Sequence, residues 1–274
     1  MKINKITLYL LLILLLAFSA RFLAAYHVDI GTDEMIYSVL PFNIISAHRL
    51  STIEQAPLYF YMVDLGYKMT GGLSLLSGRL PNIIFGTFAC LVVFLISTEL
   101  FAQKNAALLS ALFFAISGYA LSNSQDMDMI AYFFILLSMF FFIRAMRGQL
   151  SNLYPTTLFF ALAVLVKPIV LLFVPAYAMA WLWQSWKSTS GLIYQEEEKI
   201  KINMKTLRVF GLCFLLIFII VSPILIYNYL LYKDKGFTVY YFSTLAGIGD
   251  KGPYAGQEGS AWTWGGLTRI TTGI

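Results

Sequence analysis

An acidic pair, Asp33 and Glu34, comes directly after the first apolar stretch of the 274-residue chain. At a membrane surface, a carboxylate can act as a general base that takes a proton from an acceptor hydroxyl or amine as that group attacks a lipid-linked donor. The pair could instead open a helix, with Thr32 as the cap and both acids complementing the helix dipole. The two interpretations are compatible, because a helix terminus also holds a side chain in place.

A single charged residue, Lys167, interrupts the apolar run from Thr156 to Trp183 and directly precedes Pro168. A lysine inside a membrane span costs about 2.5–3.5 kcal/mol on insertion scales, and such residues usually line a cavity or a pathway. Lys167 is therefore a candidate partner for a phosphate of an anionic lipid substrate. The alternative is a lysine that reaches the membrane interface from the turn of a hairpin.

Further charged residues stand where apolar runs begin. Arg79, in SGRLPNIIFG, could hold a phosphate with its forked guanidinium, although arginines that flank a membrane span are common. Asp126 and Asp128, in SNSQDMDMIAYFF, could hydrogen-bond an acceptor or share a cation, or they could form a polar turn that caps the next helix. A divalent cation could bind such acids, but no ligand spacing requires one and no other cofactor is implied.

The composition indicates a membrane protein that spans several times. Hydrophobic residues make up 59% of the chain and charged residues only 12%, against about 25% charged in soluble domains. The net charge of +5 does not indicate a nucleic-acid partner, since lysine and arginine collect in the cytoplasmic loops of membrane proteins. Cys90 and Cys213 lie in apolar runs and predict neither a disulfide framework nor a thiolate metal site. His27 and His48 are expected to be interfacial polar residues rather than ligands.

The apolar runs predict an all-α polytopic membrane protein with a single domain over residues 1–274 and about seven spans. The expected spans are residues 6–26, 80–101, 105–122, 129–146, 156–167, 169–185 and 209–231. A long external loop, 27–78, contains two segments with mixed faces that suit helices at the membrane interface, and an external tail covers 232–274. The first run begins like a signal peptide, but its length of about 20 residues is that of a retained span.

The distribution of basic residues predicts a cytoplasmic N-terminus. The basic segments FAQKN, RAMRGQLSN and 187–208 then also lie inside, so the run 156–183 must turn back at Lys167–Pro168, near the outer surface. On this topology Lys167 and most of the acidic residues face the outside. We expect a plasma-membrane protein whose working residues are extracytoplasmic.

Several motifs follow one another along the chain: the Asp33–Glu34 pair, EQAPLYFYM (54–62), GLSLLSGRLP (72–81), SNSQDMDM (122–129) and LAVLVKPIVLLFVP (162–175). In this order they resemble the acidic DE pair, the KPPLYY-like segment, the RLP motif, the YSQ(D/E) segment and the LTKxP/G apex of GT-C superfamily glycosyltransferases. The resemblance is to the branch of dolichyl-phosphate-mannose protein mannosyltransferases and aminoarabinose transferases. It covers nearly the whole chain.

The resemblance implies a GT-C-type transmembrane module that moves a sugar, with inversion, from a polyisoprenyl-phosphate donor to a protein, lipid or glycan acceptor outside the cytoplasm. It implies that Asp33 is the general base, with Glu34 beside it as a second catalytic acid. The residues expected to bind substrate are Arg79, Lys167, Asp126, Asp128, Glu54, Gln55 and Tyr59.

Two departures from the family pattern leave the substrate and the activity open. Gln55-Ala56 stands where the family has Lys-Pro, and Met127-Asp128 stands where a basic residue is common. A member that has lost catalysis and serves in a complex is therefore one alternative. Another is a non-catalytic polytopic subunit for lipid binding or transport, although transporters usually carry repeated broken helices. Family members usually continue beyond the position of the terminal RITTGI, which predicts a fragment or a short form.

Overall fold

The computed structural model describes residues 4–27, 57–72, 74–122, 128–187, 193–196, 199–202 and 204–235, and these form an all-α membrane protein with one small β-hairpin. In chain order the helices are α1 (Lys5–His27), α2 (Leu58–Thr70), α3 (Leu75–Phe101), α4 (Lys104–Ile116), α5 (Gly118–Ser122), α6 (Asp128–Met146), α7 (Leu153–Val166), α8 (Val174–Lys187) and α9 (Met204–Lys235). Short 3₁₀ segments, Leu150–Asn152 and Pro168–Phe173, precede α7 and α8. The antiparallel strands β1 (Ile193–Glu196) and β2 (Lys199–Ile202) precede α9.

Four of the described helices are long and apolar enough to cross a membrane: Lys5–His27, Leu75–Phe101, Asp128–Met146 and Thr206–Leu230. Three further apolar segments, Lys104–Ile116, Leu150–Val166 and Pro168–Trp183, are shorter than a full span. Many apolar side chains on α1 and α9 are exposed on the outside of the bundle. A membrane protein presents such a surface to lipid.

Local sequence explains where the helix boundaries differ from the predicted spans. Helix α3 begins five residues before the predicted start, because the hydroxyl of Ser74 accepts a hydrogen bond from the Ser77 backbone N–H (3.1 Å) and caps the helix. The predicted span 105–122 is two helices, since the chain leaves helical geometry at Ser117. The hairpin of β1 and β2 was not predicted.

Helix α6 occupies the centre of the bundle. It packs between α3 and α7, while α1 lies against α3 and α4, α2 lies across the first turns of α3, and α9 covers α7. The largest core cluster joins α2, α6, α7 and α9 through buried aromatic and aliphatic side chains. It ends at Val166 and Val170, on either side of the break at Lys167.

Helix α7 ends at Val166 because Pro168 lacks a backbone N–H and disfavours helical geometry in the residue before it. Lys167 is accordingly extended, with φ −145° and ψ 105°. The chain then reverses, so that Tyr177 of α8 packs on Phe160 of α7, with ring centroids 5.7 Å apart. Helices α7 and α8 therefore form an antiparallel hairpin with Lys167 at its apex.

A fixed register aligns this hairpin with α6. Three pairs of side chains that join the segment after α7 to α6 are each separated by 39 residues: Asp128 with Lys167, Ser138 with Tyr177, and Phe142 with Trp181. The constant separation means that α8 runs parallel to α6 from the apex to the opposite end. The contacts of Tyr177 and Trp181 with α6 therefore help to determine where Lys167 lies.

Buried hydroxyls form the middle of this alignment. The Ser138 hydroxyl donates to the Thr156 carbonyl oxygen (2.9 Å) and accepts a hydrogen bond from the Tyr177 hydroxyl (3.1 Å). The three residues belong to α6, α7 and α8, so the network joins both arms of the hairpin to the central helix. In an apolar interior such bonds also spare the polar groups the cost of an unsatisfied burial.

Close approach between α2 and α3 depends on glycine. A Cβ atom at Gly66 would lie 2.5 Å from the carbonyl oxygen of Ser77 and 3.0 Å from Cδ of Pro81. Both neighbours belong to helix α3, and the nearer atom is backbone, which cannot move without displacing the helix. Gly66 is therefore the contact that lets α2 lie directly on α3.

We predict that Gly66→Ala destabilises the protein by about 1–3 kcal/mol, because the added methyl group must push α2 away from α3. The measurement is the thermal unfolding midpoint of the purified protein in detergent. Gly72→Ala is the matched control, since a Cβ atom there meets nothing within 4 Å. Equal midpoints for the two variants would contradict this account of the α2–α3 contact.

Candidate functional site

An ion pair between Lys167 and Asp128 forms the centre of the site. The apex of the α7–α8 hairpin supplies Lys167, and Asp128 is the first residue of α6, so their side chains meet where the two elements begin to run alongside each other. The side chains are 23% and 20% exposed. Both side chains are thus mostly shielded from solvent, but part of each remains accessible to a charged ligand.

The length of α6 places this pair at a membrane boundary. Its 19 residues extend about 28 Å, close to the hydrocarbon thickness of about 30 Å. If α6 crosses the membrane, Asp128 and Met146 mark its two surfaces. At the Met146 end, Glu99 of α3 accepts from Arg147 (2.7 Å) and lies 3.6 Å from Arg144, so α3 and α6 are tied together there.

Arg79 lies at the same end of the bundle as Asp128, in the first turns of α3. It is 1% exposed, and its Nη1 donates a hydrogen bond to the carbonyl oxygen of Ala25, in the last turns of α1. The carbonyls of a helix C-terminus carry partial negative charge and lack helical partners. Arg79 therefore ties α1 to α3, with its guanidinium buried between the two helices.

Tyr59 and Asn82 connect α2 to the same region. The Asn82 side-chain amide donates to the Tyr59 hydroxyl over 3.4 Å, and both residues are buried. The Tyr59 ring packs into the main core cluster beside Phe60 and Val63. Tyr59 is thus enclosed between α2 and the rest of the bundle and does not lie on an open surface.

One buried charged residue, Arg21, was not among the site residues predicted from the sequence. It lies within the apolar run of α1 and is fully buried, with Nη1 donating to the Ala17 carbonyl oxygen (3.1 Å) and the guanidinium 5.7 Å from the centroid of the Phe114 ring. A Cβ atom at Gly86 would lie 2.6 Å from its Nε, so a larger residue there would force the Arg21 side chain to shift. An arginine inside an apolar span is itself the signal that could have found it.

Five of the predicted site residues lie outside the described residues: Asp33, Glu34, Glu54, Gln55 and Asp126. The structure does describe Arg79, Lys167, Asp128 and Tyr59, and it brings them to one end of the bundle. Within the described part of the chain there is no group of three or more histidine, cysteine, aspartate or glutamate side chains that could hold a metal ion.

The described site is strongly cationic for a membrane interior. Lys167, Arg79 and Arg21 lie toward the same end of the bundle, and Asp128 is the carboxylate that contacts Lys167. Buried cations of this kind favour an anionic ligand and stabilise negative charge that develops on it. The arrangement suits a ligand with a phosphate at the membrane boundary.

The family model for dolichyl-phosphate-mannose-protein mannosyltransferases matches residues 54–227, more than half of the chain. The chain belongs to this family. It is therefore a membrane glycosyltransferase of the GT-C type, and the family implies a polyprenyl-phosphate sugar as donor. The matched residues include Arg79, Asp128 and Lys167, whereas Asp33 and Glu34 precede them.

Comparisons with curated proteins and with solved structures found no match. The assignment to the mannosyltransferase family accordingly rests on the match over residues 54–227.

We predict that Lys167→Gln and Asp128→Asn each lower the unfolding free energy by about 1–3 kcal/mol, because either change leaves a mostly buried charge without its partner. The double variant should lose less than the sum of the two single losses, and a double-mutant cycle on unfolding midpoints measures the difference.

The control is the same cycle on Asp64 and Lys68, a pair one helical turn apart at 2.6 Å within α2 whose lysine is 67% exposed, for which about 0.3–0.5 kcal/mol is expected. Strict additivity for Lys167 and Asp128 would show that the two side chains do not stabilise one another.

Proposed function

We propose that the protein transfers a sugar from a polyisoprenyl-phosphate donor to a protein, lipid or glycan acceptor on the extracytoplasmic side of the plasma membrane. The observation that carries this proposal is the Lys167–Asp128 pair at one membrane boundary, at the same end of the bundle as the buried Arg79. A lipid-linked donor presents its phosphate at such a boundary while its tail stays in the bilayer. The cations are thus at the depth that the donor phosphate occupies.

The proposed topology has about seven spans, with the N-terminus in the cytoplasm. Helices α4, α7 and α8 then cross with the support of neighbouring helices and of the 3₁₀ segments, since each is shorter than a full span. The Glu99–Arg147 cluster falls on the cytoplasmic side, as the preference for basic residues there requires. Asp128 and Lys167 fall on the outer side.

In the proposed reaction, an acceptor oxygen or nitrogen attacks the anomeric carbon of the donor sugar from the face opposite the phosphate. The bond between that carbon and the phosphate oxygen breaks, its electron pair stays on the phosphate, and the configuration inverts. Lys167 and Arg79 stabilise the negative charge that develops on the leaving phosphate. Because Lys167 already pairs with Asp128, the phosphate shares or displaces that carboxylate.

The proton that the acceptor loses goes to Asp33, the proposed general base, with Glu34 beside it. The proposed contacts to the sugar and the acceptor come from Asp126, Glu54 and Gln55, while the buried Tyr59 supports α2 through its bond with Asn82. A carboxylate base must be negatively charged to accept a proton, whereas a phosphate site must be positively charged to bind its ligand. Separate segments supply them, so each can be tested separately.

The test is sugar transfer, and donor hydrolysis in the absence of acceptor, by membranes that contain the full chain with radiolabelled polyprenyl-phosphate sugars. We expect Asp33→Asn to reduce turnover by about 10²–10⁴-fold, because the acceptor is no longer deprotonated during attack. Insertion and the amount of folded protein should be unchanged.

Asp64→Asn, in α2 of the same proposed external loop, is the matched control and should retain activity, since Asp64 already pairs with Lys68 one turn along the same helix. Unchanged turnover in Asp33→Asn would remove Asp33 from the mechanism. Loss of folded protein in parallel with activity would reduce its role to a structural one. A well-folded wild type that is inactive with every donor would favour a non-catalytic member of the family.

A further inference from the structure

The guanidinium of Arg21 is fully buried, and only one of its three nitrogens has a hydrogen-bond acceptor. Nη1 donates to the Ala17 carbonyl oxygen, whereas Nε and Nη2 have no acceptor within the described part of the chain. A buried charge without a partner is costly, and a native structure that keeps one usually has a ligand or water to satisfy it. The bond to Ala17, the contact with Phe114 and the thiol of Cys90 beside the guanidinium account for only part of the group.

The acids that the structure describes near the bundle ends already have cationic partners. Asp128 pairs with Lys167, and Asp64 pairs with Lys68. At the opposite end of α3, Glu99 pairs with Arg147. The positive charge of Arg21 therefore has no such carboxylate to balance it among these residues.

The level of Arg21 in the bundle matches that of the Lys167–Asp128 pair. A Cβ atom placed on Gly86 would touch both Nε of Arg21 (2.6 Å) and Cγ of Met129 (3.0 Å). Met129 follows Asp128 in α6, so the guanidinium lies within about one residue of the membrane boundary that α6 defines. This is the depth at which the phosphate of a membrane lipid lies.

A second unsatisfied polar atom lies one helical turn away. Asn82 precedes Gly86 by four residues and so shares its face of α3. Its Oδ1 is buried and has no hydrogen-bond donor in the described residues. Two unused donor nitrogens of Arg21 and one unused acceptor of Asn82 thus lie within about one turn of each other along α3, a combination that suits a phosphate next to a hydroxyl-bearing group.

We propose that Arg21 binds the phosphate of the lipid-linked donor, with Nε and Nη2 donating to two phosphate oxygens. This inference rests on the proposed function. It gives the phosphate a further cationic partner in addition to Lys167 and Arg79, each of which already has an acceptor within the protein. Two parallel N–H donors match the oxygens of a phosphate. The flexible side chain of Met129, beside the same Gly86, is the group that moves to admit it.

The experiment uses the purified full chain in lipid nanodiscs and two probes, a short-chain polyprenyl phosphate and the polyprenol of the same length. Binding of each probe is measured by titration for the wild type, Arg21→Met, Arg21→Lys and Arg208→Gln. Met replaces Arg21 with an unbranched apolar chain, and Lys keeps the charge without the fork. Arg208→Gln is the control because it removes an exposed arginine from α9.

We expect Arg21→Met to bind the phosphate probe about tenfold or more weakly than the wild type, with unchanged affinity for the polyprenol. Arg21→Lys should fall between the two, and Arg208→Gln should match the wild type. The unfolding midpoint of Arg21→Met should equal or exceed that of the wild type, because the substitution removes two unsatisfied donors and a buried charge.

Three results would overturn the assignment of Arg21 while leaving the proposed function intact. They are wild-type phosphate affinity in Arg21→Met, an equal loss of affinity for both probes, and an unfolding midpoint well below that of the wild type. The last two would mean that Arg21 only holds α1 against its neighbours. If the wild type does not prefer the phosphate probe to the polyprenol, the donor class in the proposed function fails, and the inference fails with it.

Discussion

The ion pair between Lys167 and Asp128 is the interaction on which the arrangement of the site depends. It joins the apex of the α7–α8 hairpin to the beginning of the central helix, at a point where both side chains are mostly withdrawn from solvent. In such surroundings an isolated charge is costly, so each group restricts the other to one position. The hairpin cannot shift along α6 without separating them.

The hydroxyl network at Ser138 and the aromatic contact of Trp181 repeat this alignment deeper in the bundle. Together with the apex they fix the segment from Lys167 to Trp181 against α6 at three points. The position of Lys167 therefore depends on contacts along the whole segment. Substitutions far from the apex can therefore alter the site. At the break itself, the Lys167 backbone N–H donates to the Ala163 carbonyl oxygen and its carbonyl oxygen accepts from Val170, so the backbone of the apex residue keeps hydrogen-bond partners.

The sequence predicted the helical class and the main apolar helices, because long apolar runs and the effect of proline on the preceding residue are local properties. The early start of α3 and the break at Ser117 depend on capping and backbone geometry that composition does not reveal. Arg21 was missed for a related reason. Helix α1 is apolar on nearly all sides, so the sequence alone does not indicate which side faces the protein or what the arginine meets there.

The hydrogen bond from Arg79 to the Ala25 carbonyl oxygen joins residues 54 positions apart in the chain. During synthesis α1 is made well before α3, so this bond can form only after α3 has joined α1 in the membrane. Removal of α1 after insertion, as occurs with a cleaved leader, would leave the Arg79 guanidinium buried without this acceptor. Helix α1 is thus part of the packing that holds Arg79 in place, and not only a membrane span.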